Sequence, residues 1–174
     1  MSASPPCRLH VAVGPSCGPV AVSAVTRNSS EEVNSAILRA ASEDGEHPTH
    51  LNDTDFRHQA RAAELLGWDL FTLQGAPLQT RALQKFSISK MDFTRFPTIS
   101  EFVQQNRSQD ILLGQALSPT GEAHTFAVDR GWYFDNNTGG EIVTAPSVPA
   151  GLANFRVVRA VALRRRTAEN HPAS

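Results

Sequence analysis

The sequence predicts an α+β domain in which an N-terminal helical half packs on a C-terminal antiparallel sheet. Up to residue 68, apolar residues recur three and four positions apart, as on the buried face of a helix. From residue 69 onward the pattern becomes alternating, and short apolar runs are separated by Gly, Pro and Asn, as in strands joined by turns. A run of helices followed by a run of strands is typical of the α+β class.

The length of the chain, 174 residues, suits one domain with a continuous core. We place that domain at residues 7–166. The ends, 1–6 and 167–174, carry no periodic apolar pattern, so we expect them to be flexible.

Helix-start signals place the first two helices. Ser16 is predicted to cap the first helix, with Pro19 in its first turn, and residues 8–13 are predicted to form a short strand before it. Ser29 and Glu32 form a capping box that begins the second helix.

The remaining elements follow from the same kind of signal. Asn52 or Asp53 is predicted to cap a third helix, and Thr98 a short fourth one. Between these helices we expect a strand at 69–73 and mostly loop at 74–97. Four further strands are predicted at 110–117, 124–128, 132–136 and 155–163.

Charge and hydropathy exclude several classes of protein. Sixteen basic and 17 acidic side chains leave a formal net charge of −1, which is no footprint for nucleic acid or anionic lipid, so we expect neither partner. No apolar run reaches the length of a membrane span, and no signal-peptide pattern is present. Cys7 and Cys17 make no disulfide framework, so we expect free thiols in the cytoplasm, either of a cell or of an infected host cell.

Cys17 stands where a helix is predicted to begin. The unpaired N–H groups and the positive end of the helix dipole favour its thiolate, which is the reactive form. Gly18 is predicted to leave the space beside the sulfur open, and the backbone N–H of Cys17 can point at an oxyanion. A free cysteine is also often a small buried hydrophobe.

His124 belongs to a predicted hairpin whose turn ends at Gly131. If Val128 lies opposite Trp132, His124 lies opposite Asn136. The amide of Asn136 would then hold the imidazole in the tautomer that presents its other nitrogen to a thiol.

A one-residue shift of that register would bring Asp135 beside His124 instead, and a bulge near Gly131 would produce such a shift. A carboxylate would also stabilise the charged imidazolium, which an amide does not. From the residues alone, Asp135 and Asn136 both remain candidates.

Several pieces of the chain, in order, resemble small papain-fold proteins of bacteria, phages and other viruses. They are SCGPVAVSAVTRNSSEEV, AAELLGW, PTISEFVQQN and AHTFAVDRGWYFDN, and the similarity spans about residues 15 to 140. A cysteine at a helix start, then a histidine on one strand and an acid or amide on the next, is also the chain order of papain-like cysteine peptidases.

This resemblance implies a papain-like fold in which Cys17 is the nucleophile, His124 the general base and acid, and Asp135 the orienting residue. It implies a thiol-dependent hydrolase, similar to a cysteine peptidase, that cleaves a peptide or isopeptide bond of a protein or peptide substrate through an acyl-enzyme. No cofactor is implied.

Two other functions fit the same residues. Acyl-enzyme chemistry also serves a papain-fold acyl or glutamyl transferase. From a different class, the domain would be a catalytically inactive binding module, such as a viral structural protein or an anti-host factor.

The sequence departs from the papain-like pattern at the oxyanion hole. Papain-like enzymes place a glutamine several residues before the cysteine, and residues 8–16 contain none. His10, the Ser16 hydroxyl and Gln115 are the candidate replacements. Loss of one such donor typically costs about a hundredfold or more in rate.

Other patterns carry less chemistry. His47, His50 and Asp53 lack a fourth ligand at suitable spacing, so we predict no metal site. Trp132 is predicted to line the cleft or the core. No nucleotide-binding glycine motif is present.

Overall fold

The computed structural model describes residues 7–72, 93–107 and 110–167, and within them it confirms the predicted α+β class. The α-helices in these ranges are α1 (Cys17–Thr26), α2 (Ser30–Glu43), α3 (Phe56–Leu65) and α4 (Ile99–Gln105). The strands are β1 (Trp68–Thr72), β2 (Ile111–Leu117), β3 (Ala123–Asp129), β4 (Trp132–Phe134), β5 (Val143–Thr144) and β6 (Arg156–Arg165).

Some predictions fall outside these ranges. The expected flexible ends, 1–6 and all but the first residue of 167–174, lie outside the described residues, as does the predicted loop of 74–97 up to residue 92. No helix in the described part of the chain combines the length and the apolar character that crossing a membrane requires.

The six strands form one antiparallel sheet in the order β1-β6-β2-β3-β4-β5. Helices α1, α2 and α3 cover one face of this sheet, where they share a core with inward side chains such as Leu113, Ala127 and Leu163. Helix α4 covers the other face and packs against side chains such as Phe126 and Tyr133. Strand β2 is therefore buried on both faces, which explains its continuous apolar sequence.

Helix α1 is the central helix of the fold. Every residue of α1 from Gly18 to Thr26 is buried, so the helix has no exposed face after its first residue. The reason is that α1 packs against α2 and α3 as well as against β3, and a helix covered on all sides needs no polar face.

The helix caps are confirmed in part. Both predicted caps at Ser29 and Thr98 are capping boxes. Helix α3, however, begins later than predicted: Asp55 caps it, and Asn52 and Asp53 lie in a short 3-10 turn. Two acceptable cap residues precede the true one, so the first polar signal was the wrong one.

The segment predicted as a strand at 8–13 has no regular structure. It crosses the end of the helical layer instead, where the backbone N–H of His10 donates to the carbonyl oxygen of Ala24 at 2.8 Å. Beside it, the Arg8 guanidinium and backbone N–H both donate to the carboxylate of Asp129.

The β3–β4 hairpin differs from the predicted register by one residue. Val128 pairs with Tyr133, not with Trp132. The turn has two residues, Arg130 and Gly131, with φ of 49° and 90°, as in a type I′ turn. A positive φ is unfavourable for arginine. For this reason the sequence of the hairpin favours a three-residue turn, 129–131, over the observed two-residue turn.

Candidate active site

The thiol of Cys17 meets the sheet where the helix α1 begins. Strand β3 pairs with β4 only over its last three residues, from Ala127 to Asp129, so the opposite end of β3 has a free backbone edge on that side. There the N–H of Thr125 donates to Cys17 Sγ at 3.4 Å. The thiol is partly buried, and it lies at the junction of the helical layer and the sheet.

His124 stands directly before Thr125 and completes the contact with the thiol. The side chains of Cys17 and His124 are neighbours, and each shifts the pKa of the other. His124 Nε2 lies 2.7 Å from Asp135 Oδ2, so Nδ1 is the ring nitrogen left to face the sulfur. The His124 side chain is 7% exposed, and the ring of Phe155 packs edge-on against the imidazole.

Asp135 is fully buried and held from several directions. The Tyr133 hydroxyl donates to Oδ2, and the backbone N–H of Asn137 donates to Oδ1 at 2.6 Å. The observed register explains this arrangement, because Tyr133 and Asp135 point to the same side of the hairpin as His124. The Tyr133 and Asn137 contacts therefore hold the carboxylate in place independently of its contact with the imidazole.

These contacts move the pKa values of the site in a consistent sense. Burial would raise the pKa of the Cys17 thiol, but hydrogen bonds from His124 and the Thr125 N–H outweigh burial and lower it. Burial would lower the pKa of His124, but hydrogen bonds with Asp135 and Cys17 raise it to about 9. The site thus favours a thiolate beside an imidazolium.

The carboxylate and the phenol complete this electrostatic pattern. Burial would raise the pKa of Asp135, but the hydrogen bonds from His124 and Tyr133 lower it. Burial, and then the charge of Asp135, raise the pKa of Tyr133 well above its ordinary value. The phenol therefore stays a donor to an ionised carboxylate.

Asn136, the alternative to Asp135, lies elsewhere in the site. Its Nδ2 donates to the carbonyl oxygen of Pro15 at 3.2 Å. It therefore ties the loop before Cys17 to the residues after β4. The structure brings Asp135 to the imidazole of His124 and Asn136 to the loop that carries the nucleophile.

Ser16 and Gly18 flank the nucleophile but differ from their predicted roles. The Ser16 hydroxyl makes no helix-capping bond and donates to Asn52 Oδ1 instead. The space beside Gly18 is not open. A Cβ at that position would lie 2.3 Å from Nε2 of Gln59, so the Gln59 amide fills the space.

Two other predicted site residues lie away from the thiol. His10 packs beside Ala24, seven residues beyond Cys17 and thus about 10 Å along the helix. Trp132 pairs with Asp129, about 16 Å along β3 from His124. There it lines a separate cavity of about 490 Å³ near the hairpin turn.

Gln115 lies closer to the site. Its Cα pairs with that of Thr125, so both side chains point to the α1 face of the sheet. The side chain is 8% exposed. Gln115 is therefore paired with Thr125, the residue whose backbone N–H donates to Cys17 Sγ.

Three residues of the site carry no signal in the sequence that we recognised. Thr125 follows His124 and contributes a backbone N–H. Tyr133 lies two positions before Asp135 and donates to it, and only the correct hairpin register places both side chains on the side of His124. Gln59 reaches the site from α3, and nothing in its helical pattern distinguishes it.

Comparison of the chain with protein-family models, curated proteins and solved structures found no match. The chemistry of the site must therefore be argued from its geometry. Within the described ranges, no group of three or more His, Cys, Asp or Glu side chains is placed to hold a metal ion.

Proposed function

We propose that the protein is a thiol-dependent hydrolase of papain-like fold that cleaves a peptide or isopeptide bond. One observation carries the proposal: the Cys17 thiol accepts a hydrogen bond from the N–H of Thr125, the residue next to His124, and His124 is hydrogen-bonded to the buried carboxylate of Asp135. A nucleophile paired with a base, and a base oriented by a third group, is the arrangement that activates a weak nucleophile for acyl transfer.

The reaction would proceed in two halves. The Cys17 thiolate attacks the carbonyl carbon of the substrate, and the imidazolium of His124 gives its proton to the leaving amine as the C–N bond breaks. The acyl group is then held as a thioester. Neutral His124 takes a proton from water, the hydroxide attacks the thioester, and the carboxylic acid and the thiolate are released.

The oxyanion of each half-reaction needs hydrogen-bond donors. As the first residue of α1, Cys17 has an N–H with no carbonyl partner inside the helix, so this group supports the proposal. Among the side chains predicted as a second donor, Ser16 is committed to Asn52 and His10 is remote. Gln115 is the remaining one of the three.

The chain order and the layers also support a papain-like assignment. The cysteine begins a helix that packs on an antiparallel sheet, the histidine lies on β3, and the acid follows β4. The acyl-enzyme would equally serve transfer to an amine, which would make the protein an acyltransferase.

The proposal is tested with a peptide-based electrophilic probe that reacts only with activated thiols, followed by mass-spectrometric mapping of the labelled residue. We expect labelling of Cys17 in the wild-type protein and its loss in Cys17→Ala and His124→Gln. Cys7→Ser is the matched control and should label normally. Labelling of Cys17 that is no faster than that of an unfolded-peptide thiol would contradict the proposal and favour the binding module.

A further inference from the structure

Gln59 is a buried amide between the helical layer and the sheet. It is 5% exposed and belongs to α3. Its Oε1 accepts a hydrogen bond from the Thr125 hydroxyl at 2.7 Å, and its Nε2 donates to the carbonyl oxygen of Thr54 at 3.3 Å. Both ends of the amide are thus used, so its orientation is fixed.

The same amide touches the start of α1. A Cβ built on Gly18 would lie 2.3 Å from Gln59 Nε2 and 2.5 Å from Cδ, distances that no real side chain tolerates. The glycine therefore permits a contact between the Gln59 amide and the backbone of α1. Gln59 meets the residue that follows Cys17 and the residue that follows His124.

From this contact pattern we propose that Gln59 is a positioning residue, which sets the spacing between the nucleophile Cys17 and the base His124. The inference rests on the proposed function, because it concerns the same pair. Thr125 connects Gln59 to the nucleophile: its hydroxyl donates to Gln59 Oε1, and its backbone N–H donates to Cys17 Sγ.

A purely space-filling role would need only the volume of the side chain. Methionine has a similar length and flexibility but can replace neither the acceptor for Thr125 nor the donor to Thr54. Nor is Gln59 placed as an oxyanion donor, since its Nε2 is engaged by the carbonyl and the hydroxyl of Thr54.

The test is the pH dependence of Cys17 alkylation by iodoacetamide in Gln59→Met. Without the Gln59 acceptor for its hydroxyl, Thr125 is free to shift, and its backbone N–H moves away from the sulfur. The Cys17 thiolate then loses a hydrogen bond. We expect the midpoint of the profile to rise by about one pH unit, and the rate on its acid side to fall about tenfold.

Matched variants separate positioning from stability. Gln105→Met makes the same change at an exposed position of α4 and should leave the profile unaltered. Thr125→Val should reproduce the shift of Gln59→Met, and the double variant should show little more than either single one. Thr125→Ser keeps the hydroxyl and should stay near wild type.

Failure of the Gln59 inference and failure of the proposed function give different alkylation profiles. If wild-type Cys17 shows a depressed midpoint and Gln59→Met keeps it while only thermal stability falls, Gln59 is structural and the inference is wrong. If the wild-type thiol itself titrates as an ordinary cysteine, the proposed function and the inference both fail. Additive shifts in Gln59→Met and Thr125→Val would also overturn the link between the two residues.

Discussion

At the scale of single residues, the choice between Asp135 and Asn136 shows how a one-residue register decides chemistry. The two side chains are neighbours in sequence, yet one contacts the imidazole and the other the Pro15 carbonyl oxygen. A carboxylate stabilises the imidazolium by charge, whereas an amide would only fix its tautomer.

Asp135→Ala and Asn136→Ala should therefore behave differently. Removal of Asp135 takes away the acceptor that raises the pKa of His124, so the thiolate of Cys17 loses its charged partner. We expect the midpoint of Cys17 alkylation to rise by about one pH unit or more in Asp135→Ala. Asn136→Ala should change it much less. The reverse ranking would assign the orienting role to Asn136.

Tyr133 provides a spectroscopic reporter of the same carboxylate. It is the only tyrosine of the chain, so phenolate absorbance reports it alone. Burial and the charge of Asp135 raise its pKa well above the ordinary value. We expect phenolate absorbance to rise only as the protein unfolds at alkaline pH, and to rise at lower pH in Asp135→Asn. Reversible titration of folded wild type at the ordinary pKa of tyrosine would contradict this.

At the scale of elements, the sequence predicted those parts whose signals are local. Capping boxes located α2 and α4, and short apolar runs bounded by turn residues located β2 and β6. Strand β5 was missed because two residues carry no periodicity. The hairpin register was missed because it depends on the left-handed conformation of Arg130, which is uncommon for arginine.

Within the candidate site, too, features with local sequence signals were predicted, whereas features that depend on distant contacts were not. Cys17 and His124 were singled out from the sequence because a helix start and a strand end have local signals, and the structure places them at those positions. The predicted helix-capping bond of Ser16 and the predicted open space beside Gly18 were wrong, because both depend on residues distant in sequence, Asn52 and Gln59. Contacts of this kind follow from the packing of α3, and of the 3-10 turn before it, on α1, and have no local pattern.

Substitution of Gly114 in β2 measures how closely this strand packs against the ring of Phe126 in β3. A Cβ at that position would lie 2.5 Å from the ring of Phe126, two residues beyond His124. We expect Gly114→Ala to lower the free energy of unfolding by about 1–3 kcal/mol, because the buried ring has to move.

Gly151→Ala is the control for this change, since no atom lies within 4 Å of its added Cβ. Its effect on the free energy of unfolding should stay within about 0.5 kcal/mol. Chemical denaturation measures both variants. Equal stability of the two would show that β2 and Phe126 are loosely packed.

At the scale of the whole molecule, the segment before α1 connects the two ends of the fold. Arg8 binds the buried carboxylate of Asp129 at the hairpin turn, and the segment then runs to Cys17 at the opposite end of β3. The position of the nucleophile thus depends on an anchor at the other end of the sheet.

Arg8→Ala should weaken that anchor. Burial would raise the pKa of Asp129, but hydrogen bonds from Arg8 outweigh burial and lower it. A carboxyl with a depressed folded-state pKa adds stability above its unfolded pKa, and this stability is lost as pH falls through the folded value. We expect a loss of about 1–2 kcal/mol in the free energy of unfolding at neutral pH, and a smaller difference from wild type in acid.

Arg39→Ala, which removes an exposed arginine paired with Glu43, is the matched control. Surface pairs of this kind contribute about 0.5 kcal/mol or less, so little change is expected at any pH. Urea denaturation at several pH values measures both variants. A difference between wild type and Arg8→Ala that grows in acid would contradict the assigned role of Asp129.

Cys17 is proposed as an activated thiol, and Cys7 is a reference thiol within the same chain. Burial, the largest influence on Cys7, raises the pKa of that thiol, whereas hydrogen bonds lower the pKa of Cys17. The most direct measurement is competitive alkylation of both cysteines in the folded wild-type protein over roughly pH 5 to 9, quantified by mass spectrometry of each peptide. We expect Cys17 to react faster than Cys7 throughout the acid and neutral range, with its midpoint at the lower pH. Equal rates, or a Cys17 midpoint at or above that of Cys7, would contradict the account.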